Sequence, residues 1–106
     1  MHARVTTYQA NPDVVDTALR TARERLIPQV QQQPGFRRGF TLLNRSSGEL
    51  VSIVFWDSLE ALEASAAAIA AIRSQGEQLM GSGTATVEVY ELVDDLEPAD
   101  AQATRP

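Results

Sequence analysis

The sequence predicts an α+β fold of the ferredoxin-like type, in which an antiparallel four-stranded sheet carries two helices on one face. Three observations predict it. Four segments are rich in β-branched and aromatic residues, two segments repeat apolar residues at helical spacing, and the segments follow the order βαββαβ. A length of 106 residues is enough for one hydrophobic core and too short for two.

Each predicted strand is bounded by turn-forming residues, and the four strands cover residues 3–9, 36–44, 49–56 and 84–93. A polar turn at residues 45–48 makes the second and third strands an antiparallel hairpin. Residues 94–106 are acidic and have no apolar periodicity. We therefore predict a domain at residues 1–93 and a flexible acidic tail at residues 94–106.

The first predicted helix begins near Asn11, which is a suitable capping residue and is followed by Pro12 at the first helical position. Pro28 has no backbone N–H, so we expect it to end or kink this helix. The apolar stripe of the helix is predicted to contain Val15, Leu19, Ala22 and Leu26.

The second predicted helix begins at a segment that resembles a capping box, with Asp57 as the cap and Glu60 three residues later. We expect Gly76 to stop or break this helix, because glycine disfavours helix interiors. The apolar stripe of the helix is predicted to contain Leu59, Leu62, Ala66, Ile69 and Ile72.

Two helices can cover only one face of the sheet, and alternation along the strands assigns residues to the two faces. The face under the helices is predicted to carry Val51, Ile53, Phe55, Val87 and Val89. The helix-free face is predicted to carry Thr6, Tyr8, Arg38, Phe40, Leu42, Leu50, Ser52, Val54, Trp56, Thr86, Glu88, Tyr90 and Leu92. That second face is too apolar to remain in water, so we predict a homodimer in which another copy covers it.

The composition favours a cytoplasmic protein that binds neither nucleic acid nor membranes. The formal net charge at pH 7 is −5 and no basic face is evident, whereas nucleic-acid-binding domains carry one. No apolar run reaches the roughly 20 residues of a membrane span, and no signal peptide is expected before the first strand. The chain has no cysteine, which excludes a disulfide framework and thiol catalysis.

Two motifs resemble those of the antibiotic biosynthesis monooxygenase (ABM) family of dimeric α+β barrel proteins. One is Pro-Gly-Phe at residues 34–36, and the other is Trp-Asp-Ser at residues 56–58 with Glu-Ala at residues 60–61. The resemblance covers residues 3–93 and implies a dimeric α+β barrel. The family includes cofactor-independent quinone-forming monooxygenases, haem-degrading monooxygenases and members without an assigned activity, so the fold does not decide the function.

The resemblance disfavours haem chemistry in this chain. Many family members carry a histidine near the position of Ser65. The haem degraders present a tryptophan there and an axial histidine about nine residues further along, at the position of Ser74. The only histidine of this chain is His2, close to the N-terminus. We therefore expect no metal site and no cofactor.

The predicted site is a pocket between the helix-free faces of two copies. The candidate catalytic residues are Tyr8, Arg38 and Glu88, and the candidate substrate-binding residues are Phe40, Ser52, Trp56 and Tyr90. The two tyrosines are expected to hydrogen-bond a phenolic or quinoid ring, on which Trp56 stacks. Arg38 would stabilise an oxyanion and Glu88 would act as a base. In the alternative interpretation, Arg38 pairs with Glu88, while Trp56 and Tyr90 fill the dimer core.

Two classes of function stay open at this point. The favoured class is a protein that binds a small aromatic ligand, with cofactor-independent monooxygenation of an aromatic or polyketide-like substrate as its expected reaction. The other is a non-catalytic dimeric binding or assembly module, and a haem-binding or haem-degrading protein comes third. A ligand-sized cavity would favour the first class, and a fully packed face would favour the second.

Overall fold

The computed structural model describes residues 1–99 and confirms the ferredoxin-like order of elements. In chain order these are β1 (His2–Gln9), α1 (Val15–Thr21), a π-helical segment (Ala22–Leu26), α2 (Ile27–Gln31), β2 (Phe36–Leu43), β3 (Glu49–Trp56), α3 (Leu59–Ala64), α4 (Ala66–Met80) and β4 (Thr86–Glu91). The strands form one antiparallel sheet in the order β2-β3-β1-β4. No helix within residues 1–99 combines the length and apolar content that a bilayer span requires.

The C-terminal segment follows β4 along the sheet. The N–H of Leu92 donates to the carbonyl of Met1 at 2.9 Å, which continues the pairing by one hydrogen bond. Residues 94–99, the first part of the predicted tail, contain neither helix nor strand and are exposed. The rest of that tail, residues 100–106, lies outside the described residues.

The first helical region differs from its prediction at both ends. Asn11 does not cap the helix, because its Oδ1 accepts a local backbone N–H at 2.9 Å and α1 begins only at Val15. Pro28 does not end the helix either. The N–H of Ile27 donates to the carbonyl of Ala22, five residues back, and α2 then carries the chain through Pro28. A π turn followed by proline in the first turn of α2 therefore replaces the expected end.

Asp57 is not the cap of the second helical region. Ser58 caps α3, since its Oγ accepts the backbone N–H of Ala61 at 3.1 Å. Asp57 instead forms an exposed ion pair with Arg37, with 3.3 Å between Oδ1 and Nη1. Ser65 lies between α3 and α4, so the predicted single helix is divided in two.

The predicted stop at Gly76 is wrong, because α4 runs through it to Met80. Gly81 ends α4 instead, with a φ of +63° that glycine adopts at little cost. Gly76 has a packing role, since a Cβ at this position would lie 3.1 Å from the hydroxyl oxygen of Tyr8. The missing side chain therefore leaves room for the Tyr8 ring and hydroxyl against α4.

The two motifs that carry the family resemblance meet in space. The N–H of Asp57 donates to the carbonyl of Gly35 at 2.8 Å. Phe36 lies edge-to-face with Trp56, with 6.2 Å between the ring centroids. A Cβ on Gly35 would lie only 2.5 Å from the Cβ of Ala61, so this glycine packs directly against α3. The motifs together hold α3 against the end of the β2–β3 hairpin.

Cross-strand register assigns the strand residues to faces, because residues directly opposite each other point the same way. The sheet surface under the helices, here the covered face, carries Arg4, Thr6, Tyr8, Leu50, Ser52, Val54 and Trp56. The opposite surface, here the open face, carries Val5, Thr7, Arg38, Phe40, Leu42, Val51, Ile53, Phe55, Thr86, Glu88 and Tyr90.

The predicted faces of the first and third strands are therefore wrong. The structure places under the helices a set that was predicted on the helix-free face: Thr6, Tyr8, Leu50, Ser52, Val54 and Trp56. It places on the open face a set predicted under the helices: Val51, Ile53 and Phe55. Both alternate sets of β3 are apolar, so alternation alone does not distinguish them. Thr6 and Ser52 are polar but lie on the covered face, where they line a cavity.

The predicted faces of the second and fourth strands are confirmed. Val87 and Val89 lie opposite Thr6 and Arg4 and so share the covered face. They are nevertheless 38% and 48% exposed, because β4 is an edge strand that the helices do not fully cover.

The core consists of two clusters of buried residues. The first contains Ala10, Val15, Ala18, Leu50 and Met80, and the second contains Leu26, Trp56, Leu62, Ile69 and Ile72. Of the first predicted helical stripe they include Val15 and Leu26, and Leu19 and Ala22 pack against them partly buried. Of the second stripe they include Leu62, Ile69 and Ile72, but Leu59 and Ala66 are exposed. Members of both clusters line a single cavity between the covered face and the helices.

Candidate functional site

The candidate site is this cavity, which we call the covered cavity. Its volume is about 110 Å³, of the same order as an engineered cavity of about 150 Å³ that holds benzene. The helices supply apolar walls, from residues that include Leu19, Ala22, Leu26, Ile27, Val30, Ile69 and Ile72. The polar groups of the lining are Arg4, Thr6, Tyr8, Thr41, Ser52 and Arg73. An apolar cavity with a few polar groups is typical of a small-molecule site.

Arg4 is buried in β1, with 6% of its surface exposed. Its Nη2 donates to the carbonyl of Leu62 at 2.8 Å, and its Nη1 donates to Ser65 Oγ at 3.3 Å. The Ser65 hydroxyl in turn donates to the same Leu62 carbonyl at 2.7 Å. The guanidinium thus binds the C-terminal turn of α3, where helical carbonyls lack partners and the helix dipole is negative.

Trp56 ends β3 and forms part of the cavity lining. It is completely buried, and the Arg4 guanidinium carbon lies 5.6 Å from the centroid of its ring. Its indole Nε1 is buried without a hydrogen-bond partner in the described part of the chain. Buried polar atoms are usually paired, so this indole N–H is an exception.

The cavity has a positive electrostatic character. Arg73 of α4 is half-buried and lines it together with Arg4. Burial lowers the pKa of Arg4, and the nearby charge of Arg73 lowers it further. Burial raises the pKa of the Tyr8 hydroxyl, an effect that Arg73 opposes and Glu77 reinforces. No carboxylate is among the lining residues.

The structure divides the predicted site residues between two surfaces. Tyr8, Ser52 and Trp56 line the covered cavity, whereas Arg38, Phe40, Glu88 and Tyr90 lie on the open face. The sheet separates the two groups, so they do not form one site within a chain. The predicted site residues were grouped on one face because the faces of the first and third strands were assigned incorrectly.

Within one chain, the alternative ion pair between Arg38 and Glu88 does not form. β2 and β4 are the two opposite edges of the sheet, which keeps these residues apart. The guanidinium carbon of Arg38 instead lies 4.8 Å from the centroid of the Phe40 ring. Glu88 accepts a short hydrogen bond from the Tyr90 hydroxyl, which raises the pKa of Tyr90.

The residues present do not match the requirements of haem. The only histidine, His2, does not line the covered cavity. Ser74, at the position where the family's haem degraders carry the axial ligand, is exposed. Ser65 is bound to Arg4. Within residues 1–99, no three His, Cys, Asp or Glu side chains lie together as a metal site would need.

Sequence reasoning missed Arg4 and Arg73 as site residues, and it did not find the contact between Ser65 and Arg4. For Arg4 a signal existed, because it alternates with Thr6 and Tyr8 along β1 and therefore shares their face. For Arg73 and for the contact between Ser65 and Arg4, the sequence gives no comparable signal. Their positions depend on how α3 and α4 pack on the sheet.

Comparison with known proteins identifies the class to which this fold and cavity belong. The model of the antibiotic biosynthesis monooxygenase family matches residues 1–72, so the chain belongs to that family. Among curated relatives, the uncharacterized protein Rv2558 of Mycobacterium tuberculosis is 34% identical over 92 residues. Those residues are 87% of this chain but only 39% of the relative, so the chain spans about two fifths of the relative's length.

Solved structures support the same fold. The monooxygenase from the gene ActVA-Orf6 of Streptomyces coelicolor, solved with the ligand nanaomycin D, is 16% identical with a TM-score of 0.75, covering 92% of each chain. The haem degrader MhuD of M. tuberculosis, solved with two haems in its active site, is 20% identical with a TM-score of 0.71. The match covers 92% of this chain and 100% of MhuD. At these identities the likeness shows the fold and not the chemistry.

Proposed function

We propose that this chain is a cytoplasmic protein that binds a small aromatic molecule in the covered cavity and acts on it as a cofactor-independent monooxygenase. The observation that carries the proposal is a mostly apolar cavity of about 110 Å³ with several polar groups, enclosed by sheet and helices. The nanaomycin D complex of the ActVA-Orf6 monooxygenase supports it, because that protein shares the fold.

Monooxygenation without a cofactor requires a substrate that supplies the electrons itself. Overall, a CH₂ group beside an electron-rich ring reacts with O₂ to give a carbonyl group and water. One oxygen atom enters the substrate, and the two hydrogens leave with the other oxygen. The Tyr8 hydroxyl, whose pKa is raised by burial, remains a hydrogen-bond donor for a phenolic or quinoid oxygen at neutral pH. The apolar walls of the cavity would face that ring.

Filling the cavity is expected to weaken ligand binding. Ser52→Leu adds apolar volume to the cavity floor, and an overpacking cost of about 1–3 kcal/mol corresponds to about a 5- to 150-fold loss of affinity. Hydroquinone binding is measured by the fluorescence of Trp56, the only tryptophan of the chain. Val51→Leu, one residue away on the open face, serves as the control and should bind as the wild type does.

Three results of this experiment separate the functions. Unchanged hydroquinone binding by Ser52→Leu would place the site elsewhere and contradict the proposal. Oxygen uptake with a phenol that carries a CH₂ group on its ring, with formation of the carbonyl product, would support the monooxygenase if it is reduced in Ser52→Leu and kept in Val51→Leu. Tight binding of such phenols without any oxygen uptake would favour the non-catalytic alternative.

We also propose that the open face forms a homodimer. It exposes large apolar side chains, namely Phe40 at 44%, Leu42 at 54% and Tyr90 at 51%. Val51, Ile53 and Phe55 lie half-buried beside them. An apolar surface of this kind is characteristic of an interface, and a second copy of the same sheet offers a complementary one.

A charge on the open face is expected to dissociate this dimer. In Leu42→Glu the carboxylate would be buried between two apolar sheets without a partner. Sedimentation velocity at micromolar concentration should show a dimer for the wild type and a monomer for Leu42→Glu. Leu59→Glu adds the same charge at a similarly exposed site on α3, and it should remain dimeric. A monomeric wild type would refute the dimer.

A further inference from the structure

Arg4 is a buried cation that lacks a counter-ion. Its two hydrogen bonds go to neutral acceptors, Ser65 Oγ and the Leu62 carbonyl. The ion pairs in the described part of the chain involve other arginines, Arg37 and Arg45. Burying an unpaired charge is costly, and buried charges in proteins are normally paired. Residues 1–99 thus supply no carboxylate partner to this charge.

Arg73 adds a second cation to the same cavity. The two guanidinium groups repel each other, and this repulsion contributes to the lowered pKa of Arg4. Glu77, whose charge acts on Tyr8, accepts the backbone N–H of Ala85, and the ion pairs of the described residues do not include it. Two unneutralised cations thus face one small space in a chain whose formal net charge is −5.

The shape and charge of the cavity together define a ligand class. Its apolar walls and its volume of about 110 Å³ suit one aromatic ring. A guanidinium has five N–H donors, of which the described contacts of Arg4 use two, so donors remain for an anion. Arginine binds carboxylates well, because its planar donors match the two oxygens.

We propose that the ligand of the covered cavity is a single-ring aromatic carboxylate, held through its carboxylate by Arg4 and Arg73 with its ring among the apolar walls. This inference rests on the proposed function, because it specifies the ligand of the same site. The carboxylate neutralises the two cations, and Ser65 keeps the Arg4 guanidinium oriented toward it.

Benzoate and benzamide test the inference, since they share a shape and differ in charge. Binding of each is measured by Trp56 fluorescence and isothermal titration. Charge-assisted hydrogen bonds predict that the wild type binds benzoate at least about tenfold more tightly than benzamide. Arg73→Gln should lower the affinity for benzoate by about tenfold and leave that for benzamide unchanged. Arg38→Gln makes the same substitution on the open face and should change neither.

Arg4→Gln should remove the preference for benzoate as well, and far-UV circular dichroism establishes whether the variant is folded. If it does not fold, Arg73→Gln still decides the question. Equal binding of benzoate and benzamide by the wild type would overturn this inference and leave the proposed function standing. Failure of both probes and of hydroquinone to bind would overturn the inference and the proposed function together. A benzoate preference that persists in Arg73→Gln would also overturn it.

Discussion

Replacing Trp56 with alanine is expected to lower the free energy of unfolding by about 3–5 kcal/mol, the cost usual for a large buried aromatic residue. Trp56 is the largest fully buried side chain of the described residues, with 0% exposure. It packs with Leu26, Leu62, Ile69 and Ile72, which link α3, α4 and the π-helical segment to the sheet. Since domains of this size are stable by only about 5–15 kcal/mol, this change alone would bring the protein close to unfolding.

The loss should be measured by urea denaturation followed by far-UV circular dichroism, because the variant lacks the tryptophan signal. Trp56→Phe keeps an aromatic ring and removes the unpaired indole N–H, so it should cost clearly less. Leu96→Ala, at a side chain that is 86% exposed, should change stability by less than about 0.5 kcal/mol. A loss below about 1 kcal/mol in Trp56→Ala would show that the tryptophan does not hold this core together.

Replacing Gly35 with alanine is expected to lower the free energy of unfolding by about 2–5 kcal/mol. Two costs add. Gly35 has a φ of +84°, and this left-handed conformation costs other residues about 1–2 kcal/mol. The new Cβ would also lie 2.5 Å from the Cβ of Ala61, and such overpacking costs about 1–3 kcal/mol.

A second variant separates the two costs. Ala61→Gly in the Gly35→Ala background removes the opposing Cβ and should recover the steric part, after correction for the effect of Ala61→Gly alone. Gly83→Ala is the matched control, because a Cβ there would meet no atom within 4 Å. If Gly35→Ala were as stable as Gly83→Ala, the contact between the two family motifs would not support the fold.

The order of the strands was predictable from sequence, because alternation and turn residues are local properties. β3 has the predicted bounds, whereas β4 is two residues shorter at each end than the predicted strand. The faces of β1 and β3 were not predictable. When both alternate sets of residues in a strand contain apolar side chains, alternation does not show which set faces the helices. The answer then depends on where the helices pack. Ser52 and Thr6 were placed on the wrong face because a polar cavity lining resembles an exposed surface in sequence.

The candidate site was predicted in part. Tyr8, Ser52 and Trp56 were predicted as site residues and do share one cavity. The other predicted site residues lie on the open face. The groups that give the cavity its charge could not be found from local pattern. The carbonyl that holds Arg4 belongs to Leu62, 58 residues further along the chain. Such a contact exists only after α3 has packed on β1.

The π-helical segment Ala22–Leu26 has the geometry of an α-helix into which one residue has been inserted. Each residue of an α-helix turns the chain by about 100°. In a regular α-helix the extra residue would therefore rotate everything C-terminal to it by that angle. The π turn takes up this rotation locally, so that Ile27 and Val30 face the cavity. Deleting one residue from the segment should restore regular helical bonding and leave this wall of the cavity in place.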